Sequence, residues 1–163
     1  MAFDTFLKID GVEGESTDAV HAGEIEIYSF SWGASNPTTI GSATSGSGGG
    51  KVSVSSFNVM KKTDKASAEL FKHCCKGTHF ATAKVTMRKA GGEQVEYLVY
   101  DFEEVYVDAV QWSGSTGGDD SPTESVAFTF GKVSATYKPQ AADGTLGGDV
   151  LYSGPVAGLA DIE

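Results

Sequence analysis

Four side chains with soft ligand atoms lie close together in the sequence: His73, Cys74, Cys75 and His79. A structural zinc site needs four such groups converging on a tetrahedron. The spacing opposes this, because neighbours on a helix point about 100° apart. His73 and Cys74 therefore diverge, and Cys74 falls on an apolar stripe, so a structural thiol beside exposed histidines is the expectation. Two acid pairs, Glu103–Glu104 and Asp119–Asp120, invite glycoside hydrolysis, in which two carboxyl groups flank the bond that breaks. Successive strand residues face opposite sides, so Glu103 and Glu104 share a site only if a bulge intervenes. Asp119 and Asp120 occupy a Gly-Gly-Asp-Asp-Ser-Pro turn, where solvated acids are routine. The run ending Gly50-Lys51 resembles a phosphate-binding loop, but Ser45 replaces its first glycine and Val52 its metal-binding hydroxyl. It also leads into a strand, whereas phosphate cradling uses the N-terminus of a following helix. His21 is isolated from any nucleophile in sequence, and neither a Gly-x-Ser-x-Gly elbow nor a His-Glu-x-x-His pair occurs. No catalytic, metal-binding or cofactor-binding residue is assigned, and no cofactor is expected.

The elements that would position these residues are mostly strands. Phe3 to Ile9 alternates as a first strand, followed by a loop marked by Asp10-Gly11 and Gly14 to Asp18. From Glu24, Ile25 and Ile27 share one face; the phase then changes so that Tyr28, Phe30 and Trp32 take the apolar face and Ser29 and Ser31 the other. A one-residue change of phase is what a β-bulge produces. The same change is read in Lys51–Lys61, where Val52 and Val54 give way to Phe57 and Val59. It recurs in Glu124–Lys138, where Val126, Phe128 and Phe130 give way to Val133, Ala135 and Tyr137. Long bent strands favour a closed or strongly curled sheet. Ala83-Val85-Met87 and Val95-Tyr97-Val99 flank Ala90-Gly91-Gly92-Glu93 as a hairpin, and Phe102 to Trp112 reads as a further strand. One helix is predicted, capped by Asp64, carrying Ala66, Leu70, Phe71 and Cys74 on its apolar stripe and ending at Gly77. The expected fold is mainly β: a closed or curled barrel of two antiparallel sheets with bulged strands and one flanking α-helix. It forms a single domain over 1–163, with a Gly/Ser-rich loop at 36–50 and a tail from about Asp143.

Composition narrows the partners. The 163 residues include 12 basic and 22 acidic side chains, a formal charge of −10. Such a surface repels phosphate backbones and anionic lipid, so neither nucleic acid nor membrane insertion is expected. The sequence shows no apolar run of signal-peptide or membrane-spanning length. Cys74 and Cys75, adjacent and the only cysteines, read as free thiols of a chain folded in a reducing compartment.

Read in order, several segments resemble the haemolysin-coregulated protein family, the inner-tube subunit of bacterial type VI secretion systems. They are Phe-Leu-Lys-Ile-Asp-Gly-Val-Glu-Gly-Glu-Ser at 6–16; His21-Ala-Gly-Glu-Ile25; and Ser31-Trp32-Gly33. Asp64-Lys-Ala-Ser67, Arg88-Lys-Ala-Gly-Gly-Glu93, Tyr97-Leu98, Pro122-Thr-Glu-Ser-Val126 and Tyr137-Lys-Pro-Gln140 complete the set. The resemblance implies a barrel with one flanking helix, six copies closing into a ring, and rings stacking into a tube inside a contractile sheath. It implies synthesis in the cytoplasm and export through the apparatus itself, alongside spike components. Some members carry effector proteins in the ring lumen. Others bear an appended toxic enzyme domain, for which the tail here is too short.

If Phe30 and Trp32 pack the core, Ser29 and Ser31 look outward, into solvent or a lumen. They are the candidate lumen and effector contacts. Thr39 and Ile40, in the 36–50 loop, are the candidate ring-stacking residues. A non-enzymatic tube subunit is the first reading, with self, sheath, spike and effectors as partners. An effector carrier with assembly secondary is the second. A monomeric sugar-binding or glycan-acting barrel, recruiting Trp32 and Trp112, is the third.

Overall fold

The computed structural model describes residues 3–37, 52–89, 94–118 and 121–155. Its strands are β1 (Phe3–Ile9), β2 (Ile25–Ser31), β3 (Ala34–Ser35), β4 (Ser53–Val54), β5 (Phe57–Lys62), β6 (His79–Lys89), β7 (Glu96–Ser113), β8 (Thr123–Tyr137) and β9 (Val150–Pro155); its helix is α1 (Ala66–Lys76). Pairing runs in the order β5-β2-β1-β6-β7-β8-β9, and β5 also pairs with β8. That second pairing closes six strands into a barrel, the mainly β architecture with one flanking helix that the alternation predicts. Strand β9 lies beyond the seam. It takes the edge of β8 from Lys132 to Tyr137, while β5 takes the same edge from Thr123 to Phe128.

Inward-facing side chains form one apolar cluster. Phe57, fully buried, has Phe102 at 5.1 Å, Phe128 at 5.2 Å, Phe30 at 5.5 Å and Trp32 at 6.1 Å between ring centroids. Truncating an aromatic at such a site costs about 3–5 kcal/mol.

Three phase changes were expected, and each has a different physical form. In β2 the register against β5 shifts between Ile27 and Ser29, a bulge as read. Tyr28, however, is the extra residue and is 54% exposed, so it leaves the apolar face to Phe30 and Trp32. The strand expected over Lys51–Lys61 is interrupted after Val54: β4 pairs with β3 in a separate two-stranded sheet, and β5 begins afresh at Phe57. In β8 the change occurs without any register shift, because β7 changes phase opposite it. Glu104 there has φ 55°, the only positive φ among described non-glycine residues, and Gly131 lies across from it. A Cβ on Gly131 would stand 3.2 Å from Glu104 Cβ and 2.7 Å from its Oε2, so glycine lets the two strands approach closely at the corner. The strands expected at Val95–Val99 and Phe102–Trp112 are one 18-residue strand, β7, kinked at this corner and bulged between Val107 and Ala109.

Helix α1 begins as the sequence indicates. Asp64 Oδ1 accepts the Ala66 N–H at 3.0 Å, and Ser67 Oγ accepts the Asp64 N–H at 3.0 Å, a reciprocal cap. Gly77, at φ 65°, returns its N–H to the His73 carbonyl and ends the helix. Ala66 and Leu70 are buried and Cys74 packs against the core, whereas Phe71 is exposed and touches Trp112 at 5.2 Å.

Candidate functional site

Where β2, β5, β8 and the second half of β7 lie side by side, register decides which side chains share a rung. Ser29 pairs with Met60, Met60 with Ser125, and Ser125 with Gln111. On the next outward rung Ser31 pairs with Asn58, Asn58 with Ala127, and Ala127 with Ala109. Side chains opposite one another in a pair approach within about 5 Å. These eight residues make a wall with no ionisable group, in a chain carrying 12 basic and 22 acidic residues. Among the described residues, charge near it stands at its margins, on Glu26, Lys62 and Asp108. The Asp108 carboxylate accepts from Ser56 Oγ at 2.7 Å and Thr129 Oγ1 at 3.1 Å. Ser29 and Ser31 are exposed on this wall, as their phase predicts.

The inner face of the same strands carries the charge. Lys61 and Glu124, both 0% exposed, are cross-strand partners and hydrogen-bond through Lys61 Nζ and Glu124 Oε1. Lys61 Nζ also donates to Asp64 Oδ1 at 2.9 Å, the Lys62 carbonyl at 2.9 Å and Ser67 Oγ at 3.1 Å. Ser67 Oγ in turn donates to Glu124 Oε1 at 2.8 Å. The ammonium thus holds the helix cap against the back of the neutral wall. Sequence reasoning missed this network, although its signal is present: Lys61 is in phase with Phe57 and Val59, and Glu124 with Val126 and Phe128.

The opposite side of the barrel reads differently. Lys8 and Lys84 are cross-strand neighbours, Lys84 lies 3.6 Å from Asp101, and Glu103 lies 3.4 Å from Lys132. Further along β6, Arg88 is covered by the loop between β1 and β2. Its guanidinium donates to Asp18 at 3.0 and 2.6 Å and to Asp4 at 3.3 Å, and stands 5.1 Å from the Phe6 ring. Phe6 stacks on His21 at 4.4 Å. His21 Nδ1 lies 2.9 Å from Glu24, and its Nε2 is 3.1 Å from Glu96 without hydrogen-bond geometry. Hydrogen bonds from Arg88 and then from the Val20 and His21 backbone N–H groups hold the Asp18 carboxyl well below the usual carboxylate range.

The other chemical candidates do not converge. His73 pairs with Thr78 Oγ1 at 2.6 Å, Cys74 reaches the Asp108 carbonyl at 3.6 Å, Cys75 is exposed, and His79 lies 5.4 Å from the Tyr106 ring. Among the described residues no three His, Cys, Asp or Glu side chains are grouped as metal ligands. Glu103 lies 3.4 Å from Lys132, whereas Glu104 occupies the positive-φ corner opposite Gly131. Trp32 packs on Phe57, Tyr100 and Phe130, while Trp112 meets Phe71 at the far end of β7. Asp119, Asp120, Thr39, Ile40 and the Ser45–Lys51 loop lie outside the described residues. No helix among the described residues is long and apolar enough to cross a membrane.

The fold is a closed six-stranded β-barrel with one flanking helix. The model of the family described as "Type VI secretion system effector, Hcp" matches residues 6–137, and the chain belongs to that family. Protein hcp1 of Pseudomonas aeruginosa is 47% identical over 154 residues, covering 93% of this chain and 94% of the relative. A solved type six secretion system protein superposes with a TM-score of 0.90 at 37% identity, covering 96% of this chain and 97% of its own. Hcp1 from Salmonella typhimurium gives 0.76 at 36% identity, with 96% of each chain covered.

Proposed function

We propose that the chain, folded as one barrel domain over 1–163, is a non-enzymatic subunit of the type VI secretion inner tube. It closes homo-hexameric rings that stack inside the sheath, below the spike. It leaves the bacterial cytoplasm through the apparatus, to the exterior, with effector proteins in the lumen. The observation that carries the reading is the charge-free wall bearing Ser29 and Ser31. A conduit for varied protein cargo needs a surface that neither repels nor traps charged guests, and small hydroxyl side chains supply one. Ring closure pairs two different surfaces of each copy, which a barrel with two chemically distinct walls can provide. The acidic balance disfavours nucleic acid and anionic membrane as partners.

A carrier role is favoured by the same wall and is compatible with assembly. The test is electron microscopy of purified rings combined with effector co-purification. Ser31→Gln, projecting a longer side chain from the wall, should reduce retained effector while rings remain. Thr39→Asp with Ile40→Asp should shorten stacks and leave single rings. Normal effector retention by Ser31→Gln would remove the lumen assignment, and unchanged stacking by the loop variant would remove that of Thr39 and Ile40.

A further inference from the structure

The neutral wall is not uniformly polar. Met60 is 38% exposed on it, and Tyr28, adjoining Ser29 as the extra residue of the β2 bulge, is 54% exposed. Met60 has Ser29 on one side of its rung and Ser125 on the other. Both are too short to cover a thioether chain. At the bulge Tyr28 has no register partner on β5, and Lys62 Nζ lies 5.9 Å from its ring centroid. Met60, set among serine, asparagine and alanine, is a contact point read by shape and apolar area, and Tyr28, beside Ser29, adds a ring at the charged margin marked by Glu26 and Lys62.

We infer that Met60, supported by Tyr28, is the apolar anchor through which this wall holds a protein guest by its exposed apolar side chains. This rests on the tube reading above and assigns the recognition chemistry of its wall. A second copy fits less well as the occupant. A permanent interface buries about 1,000 Å² or more per partner around an apolar core, and one methionine and one tyrosine among small polar residues do not form such a core. A weak contact repeated by every copy of a ring suits a guest, because several weak contacts made together retain it while each exchanges quickly. Methionine suits varied guests, since its flexible, polarisable chain adapts to different partners.

The test uses the full-length protein labelled with ¹³C at methionine methyl groups, and as probe a synthetic peptide of tryptophan, leucine and serine with no net charge. Met87, 1% exposed in the core, is the internal control. The Met60 methyl resonance should shift on titration while that of Met87 stays. Met60→Ser should weaken binding by about fivefold, Tyr28→Ser by less, and Met60→Leu should restore most of the affinity. Raising salt from about 0.05 to 0.5 M should change affinity by less than about twofold, because no ion pair is made. An unmoved Met60 methyl, undiminished binding by Met60→Ser, or a steep loss with salt would overturn the inference. So would dissociation of the assembly by Met60→Ser without any peptide-induced shift, which would make the wall a contact between copies. Light scattering on the same samples separates the two claims. A monomer whose Met60 responds would contradict the ring and leave the anchor standing, whereas an intact ring with a silent Met60 would contradict only the anchor.

Discussion

Strands β7 and β8 contribute to both walls of the barrel, yet one wall is neutral outside with an ion pair behind it, and the other carries charge outside with an apolar interior. The switch is the corner at Glu104 and Gly131. Before it along β8, Ser125 and Ala127 face outward; after it, Lys132 and Ser134 do. On β7 the outward row runs from Asp101 and Glu103 across the corner to Ala109 and Gln111. A paired change of phase therefore lets two continuous strands serve two surfaces with different chemistry. Polarity is set wall by wall, and the backbone corner is the device that separates the walls.

The comparison breaks most severely where charge is buried. Lys61→Met should destabilise by about 3–5 kcal/mol, since Glu124 would remain in the core without its cation. The double variant Lys61→Met with Glu124→Leu should recover most of that loss in denaturant unfolding. If the double variant proves as unstable as the single, the pair specifies something beyond its own neutralisation.

Arg88 is the covered cation of the charged wall, and Asp18→Asn should lower the melting temperature at neutral pH. Because the Asp18 carboxyl titrates below its ordinary range in the folded chain, its contribution is complete above the unfolded value near pH 4. It is lost as pH falls from there toward the folded value. The gap in stability between wild type and Asp18→Asn should thus be constant above about pH 5 and narrow below about pH 4. An equal gap at both ends of that range would contradict the account.

At the corner, Gly131→Ala should cost about 1–2 kcal/mol, as the new methyl meets Glu104 Cβ at 3.2 Å. Little change would mean that the bend relaxes without glycine. The smallest effect belongs to the charged wall's exposed pairs. Lys84→Ala removes a contact of 3.6 Å to Asp101 and should change stability by less than about 0.5 kcal/mol. A larger loss would show that this wall is as dependent on charge as the neutral wall is on its hidden pair.

Much of this arrangement was legible in the residues. The bulge at Ile27–Ser29, the Asp64 cap, the Gly77 terminator and the outward phase of Ser29 and Ser31 all follow from local periodicity and turn chemistry. Other features depend on information that periodicity does not hold. Val54 to Phe57 and Phe130 to Val133 present similar phase changes, yet one is an interruption between two strands and the other a corner within one. The difference lies in whether a neighbouring strand changes phase opposite. Val99 to Phe102 carries no glycine or proline, and Asp101 keeps the strand alternation, so the two strands inferred around it were one. Met60 and Gln111 joined Ser29 only through cross-strand register, which barrel closure sets. Lys61 and Glu124 could have been found by trusting phase over residue type, since both fall on inward positions.

The central claim, a ring-forming tube subunit, is tested most directly by the solution mass of the purified protein, measured by light scattering after size exclusion. A discrete species of about six times the 17.0 kDa chain is the predicted result, as a closed ring of identical copies requires. A strict monomer over a wide concentration range would contradict it.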